Sequence, residues 1–272
     1  MKKAAMAVAA AALYLAGPAS ALAQEQTGPG PQAKVTVYYS RAETVLKAEA
    51  MTFSDEFSIK GDYVAVLLES PLKYKRFGVT GTLLQGTSDE IPGATDFVTS
   101  GYNPAYYGTF NPLTDEQIRR LTANLTFTAL DVRNHTGNLD LTAGYFLLES
   151  RPGISKGNTF GGYSFGVSGG YDWQFGQHGF GLTGLFSYVP SFFVHGNVEG
   201  QFTQDFITEY RLGLEYTLMK RYGLTFGYQG MYLKGKITDE TMAGAEYMLG
   251  RSVSDEAIVT ANGLYFGALV KF

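Results

Sequence analysis

The sequence GYSFGVSGGYDWQF, residues 162–175, alternates between apolar and small or polar side chains. The apolar positions are Tyr163, Phe165, Val167, Tyr171, Trp173 and Phe175. A period of two is the repeat of a β-strand, so the stretch predicts a strand with one apolar and one polar face. The apolar face would point to the core of a soluble β-sandwich or to the lipid around a membrane β-barrel. The period alone does not separate these two folds.

The same alternation recurs along the chain. It is clear in residues 120–132, 138–149, 205–219 and 222–233, and aromatic residues crowd the ends of these segments. Weaker candidates are residues 35–49, 57–69, 74–85, 179–189 and 257–272. Together these segments predict about ten strands. The first is the least secure, because its alanines and Leu46 also suit a short helix.

The links between these segments alternate in length. Short links are predicted at residues 70–73, 133–137, 176–178 and 220–221, and longer ones at 50–56, 86–119, 150–161, 190–204 and 234–256. An up-and-down membrane barrel with both chain ends on one side shows this alternation. We therefore predict an all-β fold, a closed antiparallel up-and-down transmembrane β-barrel of about ten strands. Eight strands remain open, and so do twelve if residues 86–119 form an extra hairpin.

The amino terminus has the pattern of a secretory signal peptide. Lys2 and Lys3 precede an apolar stretch, and the small residues Ala21 and Ala23 precede Gln24. A membrane anchor helix needs about 20 apolar residues, and this run is interrupted earlier. We predict a signal peptide at 1–23, a short periplasmic segment at 24–33 and the barrel at 34–272.

The carboxy terminus carries a residue pattern that indicates a cellular compartment. The chain ends on a strand with Tyr265, Gly267, Val270 and a terminal Phe272. This ending resembles the assembly signal of Gram-negative outer-membrane β-barrel proteins. The resemblance implies insertion into the outer membrane by the barrel assembly machinery, with outer-membrane lipid and lipopolysaccharide as surroundings. It implies no substrate.

The composition excludes several functions. The chain has 21 basic and 25 acidic residues, and cleavage of the signal peptide makes the net charge of −4 more negative, which argues against nucleic-acid binding. With no cysteine, the chain has no disulfide and no thiolate metal site. The sequence contains no metal-binding or nucleotide-binding motif, so no metal and no cofactor is predicted. Beyond the amino terminus no apolar run is long enough for a transmembrane helix.

Charged residues on the polar faces predict a charge-lined lumen. In the register favoured here the inward set is Arg41, Glu43, Lys47, Glu49, Lys60, Asp62, Glu209, Arg211 and Glu215. These ions either pair and fill the lumen or line a narrow path for a small polar solute. A barrel of this size is nearly filled by side chains, so pairing is the favoured interpretation.

The longest link contains a run of aromatic residues. Its candidates for a binding surface are Tyr102, Tyr106, Tyr107 and Phe110. They form either a lumen constriction, an outward surface for glycan or protein, or packing on the rim. The Phe192–Val194 segment is read as a lipid-facing strand end or an exposed tip. Gly161 and Gly162 are read as small lumenal positions or a bulge.

An enzyme is disfavoured by the histidines. His135 and His178 fall in predicted periplasmic turns, and His195 lies in an outer link without a serine or aspartate beside it. No catalytic residue is therefore predicted. The expected function is a small channel or a structural surface component. The alternatives are an adhesin that binds through its outer links and, less favoured, a lipid A hydrolase or protease.

Overall fold

The computed structural model describes residues 33–48, 57–71, 76–88, 116–132, 137–152, 158–196, 202–238 and 256–272. Within these ranges the chain forms eleven strand segments: β1 (Lys34–Ala48), β2 (Phe57–Pro71), β3 (Phe77–Ser88), β4 (Glu116–Val132), β5 (Gly137–Pro152), β6 (Asn158–Phe175), β7 (His178–Val189), β8 (Phe193–Gly196), β9 (Phe202–Leu218), β10 (Tyr222–Ile237) and β11 (Glu256–Lys271). No helix in the described part of the chain is long and apolar enough to cross a membrane.

The strands form one antiparallel sheet that closes on itself. The first strand pairs with the last, from Lys34 opposite Lys271 to Ala48 opposite Ala257. Both β7 and β8 pair with β6 and are separated only by residues 190–192, so they form one interrupted strand of the wall. The wall therefore has ten strands. This confirms the predicted closed antiparallel barrel and settles its strand number.

The two faces of the wall are as the alternation predicted. Tyr163 is 74% exposed and Phe165 is 54% exposed, whereas Ser164 between them is 1% exposed. The same inversion holds around the wall, where leucine and aromatic side chains point out and threonine, serine and asparagine side chains are buried inside. A water-soluble sandwich would bury the apolar face, so that alternative is wrong. The polar face lines an enclosed lumen.

Both ends of the described barrel lie at one rim. The Phe272 backbone N–H donates a hydrogen bond to the Ala33 carbonyl at 2.9 Å. We call this end the terminal rim and the opposite end the distal rim. Links at the terminal rim are residues 72–76, 133–136, 176–177 and 219–221, and links at the distal rim are residues 49–56, 89–115, 153–157, 197–201 and 238–255.

Two distal links are shorter than the sequence predicted. Residues 150–161 were expected to be a long link, but β5 runs to Pro152 and β6 begins at Asn158. The 190–204 region likewise contains β8 and the start of β9. Cross-strand pairing continues into both regions, to Ser150 opposite Asn158 and to Gly196 opposite Asn158. The contrast in link length is therefore carried mainly by residues 89–115 and 238–255.

Candidate functional site in the barrel lumen

A ring of tightly packed side chains crosses the lumen at mid-height. Each of the ten wall strands contributes one residue to this mid-lumen ring: Ser40, Ala65, Leu84, Thr122, Phe146, Ser164, Ser187, Glu209, Gln229 and Gly263. Four neighbouring couples of the ring, such as Ala65 with Leu84 and Ser187 with Glu209, are register pairs, and the other six are offset by two residues in one direction, as the stagger of tilted barrel strands requires. The nine side chains are each at most 7% exposed. A water-filled passage would expose the groups that line it, so the lumen is closed at this level.

An ion cluster fills the lumen near the terminal rim. The Lys34 ammonium lies 2.6 Å from Glu69 Oε2 and 2.8 Å from Glu215 Oε1. Nearby, Lys271 Nζ lies 3.3 Å from Asp172 Oδ2. Buried charges are tolerated when each has a close partner of opposite sign. The cluster therefore joins strands β1, β2, β9, β6 and β11 across the interior.

Two tyrosines pack between the ion cluster and the mid-lumen ring. The ring centroids of Tyr38 and Tyr265 are 4.8 Å apart. The Tyr38 hydroxyl donates a hydrogen bond to Gln229 Oε1 at 2.8 Å. On the β4–β6 part of the wall, Ser164 Oγ donates to Asn124 Oδ1 at 2.9 Å over Gly144 of the strand between them. The ring contact and the two hydrogen bonds hold side chains from five strands in fixed positions, which suits a plug better than a pore.

The distal half of the lumen is mostly apolar. Its buried members, which we call the distal apolar cluster, are Phe146, Leu148, Val189, Phe192, Ile207, Met231 and Leu233. The Arg120 guanidinium lies 3.3 Å from Glu209 Oε1 beside this cluster, and both side chains are under 10% exposed. An apolar layer with one enclosed ion pair excludes water, so hydrated ions are not expected to cross it.

One small cavity lies among the charged groups. Its lining is Lys34, Thr36, Tyr38, Leu67, Thr183, Arg211, Glu215, Thr225 and Tyr265. Its water-accessible volume is about 10 Å³, which is about what a single water molecule requires. Thr36 Oγ1 and Glu215 Oε2 are buried without a hydrogen-bond partner in the described residues. The cavity is therefore suited to one water bound by polar groups.

The predicted set of inward charges is only partly correct in position. Glu209, Arg211 and Glu215 do lie on the lumenal face of β9. Arg41, Glu43, Lys60 and Asp62 are exposed on the outer face, so their predicted inward direction is wrong. The other face of β1 points inward, with Tyr38, Ser40 and Ala42 buried. Lys47 and Glu49 lie outside the residues whose side chains are described.

The outward charges occupy the distal end of the wall. Arg41 Nη1 lies 3.7 Å from Asp62 Oδ1, and the Tyr39 hydroxyl donates to the same carboxylate oxygen at 2.5 Å. The register places Glu43 opposite Lys60. On the other side of β1 the outward residues change from Leu264 opposite Arg41 to Asn262 opposite Glu43, so the apolar band ends at this level and water or lipid head groups can solvate a charge. Charge alone therefore did not identify the inner face.

Sequence reasoning missed several charged residues of the lumen, among them Lys34, Glu69, Arg120, Asp140, Asp172 and Lys271. Asp172 stood on the polar face of 162–175 and could have been included. Glu69 shares its face with Tyr63, Ala65 and Leu67, so that face gave no polar signal.

The remaining candidates lie away from the lumen or outside the described residues. Tyr102, Tyr106, Tyr107, Phe110 and His135 are outside these residues. His178 Nδ1 lies 2.8 Å from the Tyr216 hydroxyl at the terminal rim, and His195 is exposed on β8.

In the carboxy-terminal pattern, Tyr265 and Gly267 face the lumen, whereas Phe272 packs with Val35 and Val37. Its role as an assembly signal stays a prediction.

Comparisons with known proteins give a likeness in fold only. No protein family and no curated protein matches the sequence. The outer membrane protease OmpT from Escherichia coli is 11% identical, with a TM-score of 0.47 over 89% of this chain and 97% of its own. An outer membrane channel from Pseudomonas putida F1 is 13% identical, with a TM-score of 0.41 over 89% and 96%. The translocator domain of the autotransporter NalP from Neisseria meningitidis is 12% identical, with a TM-score of 0.36 over 98% of both chains. None of these similarities assigns an activity.

Proposed function

We propose that this protein is an outer-membrane β-barrel with a closed lumen that acts as a membrane-anchored surface component. The outer face supports membrane insertion. Its middle carries exposed leucines such as Leu125, Leu141, Leu212 and Leu214, each at least half exposed. Exposure of such an apolar band to water is unfavourable in free energy, whereas the hydrocarbon of a membrane solvates it.

Aromatic rows border this band at both rims. Near the terminal rim the outward residues include Tyr171, Trp173, Phe175, Phe180 and Tyr222. Near the distal rim they include Tyr39, Tyr145, Tyr163, Tyr188 and Tyr228. Aromatic side chains prefer the boundary between hydrocarbon and head groups. The two rows therefore support a transmembrane position with both rims at water.

The signal peptide and the chain ends support the compartment and the orientation. Export by residues 1–23 would deliver the chain to the periplasm. Both ends of the barrel lie at the terminal rim, which we place on the periplasmic side. The distal rim, with its long links at 89–115 and 238–255, then faces the cell exterior.

The closed lumen rests on one observation, the burial of the mid-lumen ring. A residue from every wall strand is buried at that level, with the ion cluster on its terminal side and, on its distal side, the distal apolar cluster, with which the ring shares Phe146. An open diffusion pore needs a continuous wet path. The closed lumen therefore favours a structural or surface role, with the wall holding the extracellular links in place.

A second candidate is a narrow path for small ions. It is favoured by the small cavity, which brings Lys34, Arg211 and Glu215 together inside the wall. Rearrangement of the side chains on its distal side would have to extend this cavity through the mid-lumen ring. The adhesin and hydrolase alternatives depend on links outside the described residues and stay predictions.

Planar bilayer recording separates the two candidates. We expect the purified wild-type protein to insert without stepwise conductance, because the mid-lumen ring excludes water. Arg211→Gln removes a lumenal charge, and Arg41→Gln is the matched control because that guanidinium is exposed on the outer face. Steps that change in Arg211→Gln and not in Arg41→Gln would support the ion path and overturn the closed lumen. Recovery of the protein from soluble periplasm, and not from outer-membrane fractions, would overturn membrane insertion itself.

A further inference from the structure

Two neighbouring turns at the terminal rim form one continuous outer surface. His178 lies opposite Leu218, and Leu218 lies opposite Tyr222, so these residues stand side by side on β7, β9 and β10. The turns are also joined directly, since the Met219 N–H donates to the Gln177 carbonyl at 2.7 Å. Neighbouring strands are about 4.8 Å apart, which makes the surface about 10 Å wide from β7 to β10. We call residues 175–180 and 216–222 the turn platform.

The part of the platform nearest the lipid is aromatic. The ring of Tyr216 lies 5.3 Å from that of Phe180 and 6.0 Å from that of His178. Its hydroxyl also lies 2.8 Å from His178 Nδ1, so the rings are held in place. Phe175 is exposed beside Phe180, with ring centroids 6.4 Å apart. These rings belong to the terminal aromatic row, so the platform begins at the boundary between hydrocarbon and head groups.

The tip of the platform is cationic. Lys220 and Arg221 are exposed where the β9–β10 turn passes beyond the aromatic row. The Arg221 guanidinium lies over the ring of Tyr222, 5.5 Å from its centroid. A contact of this kind favours a position beside the ring for the cation. The two cations therefore lie at the level of lipid head groups.

Few acidic groups oppose these cations. The platform contains no aspartate and no glutamate. Asp172 and Glu215, which flank it in sequence, face the lumen and pair there with lysines. The terminal carboxylate, on Phe272 of neighbouring β11, can offset one of the two cations. The platform therefore keeps at least one positive charge in excess.

The backbone of the β9–β10 turn points to a role for its side chains. Met219 and Lys220 have φ angles of 55° and 60°, a conformation that glycine or asparagine adopts more readily. Strain of this kind persists where a side chain has a function. Met219 is 63% exposed, so packing within the barrel does not explain the presence of its side chain. In a membrane it would lie in the interfacial layer beside Lys220.

We propose that the turn platform binds one anionic phospholipid of the periplasmic leaflet. Lys220 and Arg221 bind the lipid phosphate, because charge-assisted hydrogen bonds to phosphate are strong. The glycerol and upper acyl chains lie on the rings of Phe180 and Tyr216. A zwitterionic lipid binds less well, because its own cation is repelled by the platform. The site rests on the proposed membrane insertion and orientation, and it adds a lipid class to them.

Quenching of Trp173 by brominated lipids tests the site in the wild-type protein. Trp173 is the only tryptophan and lies opposite Phe180 in the β6–β7 ladder. In phosphatidylcholine bilayers, a small fraction of brominated phosphatidylglycerol should quench Trp173 several-fold more than the same fraction of brominated phosphatidylcholine. High salt should remove most of this excess, because it screens the exposed cations. Equal quenching by the two lipids, or an excess that salt does not change, would overturn the site.

Two variants assign the lipid preference to the turn. Lys220→Gln with Arg221→Gln should abolish it, whereas Arg76→Gln should leave it unchanged. Arg76 is the matched control because it is an exposed cation of the same rim that precedes β3, far from β6 in the sheet.

The second variant covers failure of the first to fold. Met219→Asn with Lys220→Gly suits the turn and should weaken the preference by about half, because one of two cations is lost. An undiminished preference in the variants would overturn the site. Failure of the wild type to enter bilayers would instead contradict the proposed membrane role, so the two outcomes are distinguishable.

Discussion

Met219 and Lys220 adopt backbone conformations that most residues avoid. Their φ angles are 55° and 60°, and the Arg221 N–H donates to the Leu218 carbonyl at 3.2 Å. Two successive residues with positive φ between antiparallel strands form a type I′ turn, which suits the twist of the strands. Asparagine and glycine are the residues that normally occupy it. The chain therefore accepts local strain at this terminal-rim link.

This strain predicts opposite changes in stability for two variants, one at this link and one at the neighbouring 176–177 link. Met219→Asn with Lys220→Gly should raise the free energy of unfolding by about 1 kcal/mol, because the left-handed conformation penalises a Cβ. Gly176 has a φ of 63°. Gly176→Ala should lower the same free energy by about 1 kcal/mol. Urea unfolding of the reconstituted protein, followed by Trp173 fluorescence, measures both. Equal midpoints for all three proteins would show that neither link is strained.

At the scale of the strand, the sequence predicted the element and missed its details. The alternation of 162–175 located β6 and its faces, because one face must meet lipid along its whole length. In β1 the inward set was misassigned. The alternation is weak there, and charges at the distal end of the strand are solvated on either face. The division of the 178–196 strand at Pro190 was not predicted either. Val189 and Phe192 both turn inward and Phe193 outward, so one extra residue in the β7–β8 segment shifts the alternation by one position, which a period of two read along the whole segment does not predict.

Gly162 packs so closely against Val189 that one added methyl group should lower the stability of the barrel. Gly162→Ala should lower the free energy of unfolding by about 1–3 kcal/mol, since its Cβ would meet Val189 Cγ1 at 2.7 Å and also contact the Ser191 carbonyl. Gly184→Ala on neighbouring β7 is the control. A Cβ at this position would lie 4.0 Å from its nearest neighbour, the Arg211 carbonyl oxygen, so the substitution should be tolerated. Thermal unfolding compares the two variants. A loss in Gly184→Ala as large as that in Gly162→Ala would contradict the packing explanation.

At the scale of the whole molecule, the sequence predicted the closed barrel. It did not predict which side chains meet inside the lumen. Period two and the alternating links were sufficient for closure, because they depend on local order along the chain. The lumenal contacts join residues far apart in sequence, such as Lys34 with Glu215 and Arg120 with Glu209. Their partners depend on the stagger of ten strands, which a single sequence does not reveal. The candidate site could therefore be predicted in kind and not residue by residue.

The last residue should matter for assembly. Phe272 donates its N–H to Ala33 and packs with Val35 and Val37 across the first-to-last strand seam. Deletion of Phe272 should lower the amount of folded barrel in outer-membrane fractions, whereas Phe272→Tyr should keep it near the wild-type level. Heat-modifiable migration in gels measures the folded fraction. Wild-type levels after deletion would contradict a role for this residue in assembly.

The pairing of β1 with β11 also constrains the order of events during biogenesis. Because β1 pairs with β11, β1 can complete its pairing only after the ribosome has synthesised the last strand. The amino-terminal half therefore cannot complete its fold while translation continues, and we expect its strand edges to stay unpaired, and prone to aggregation, until the carboxy-terminal strand is available.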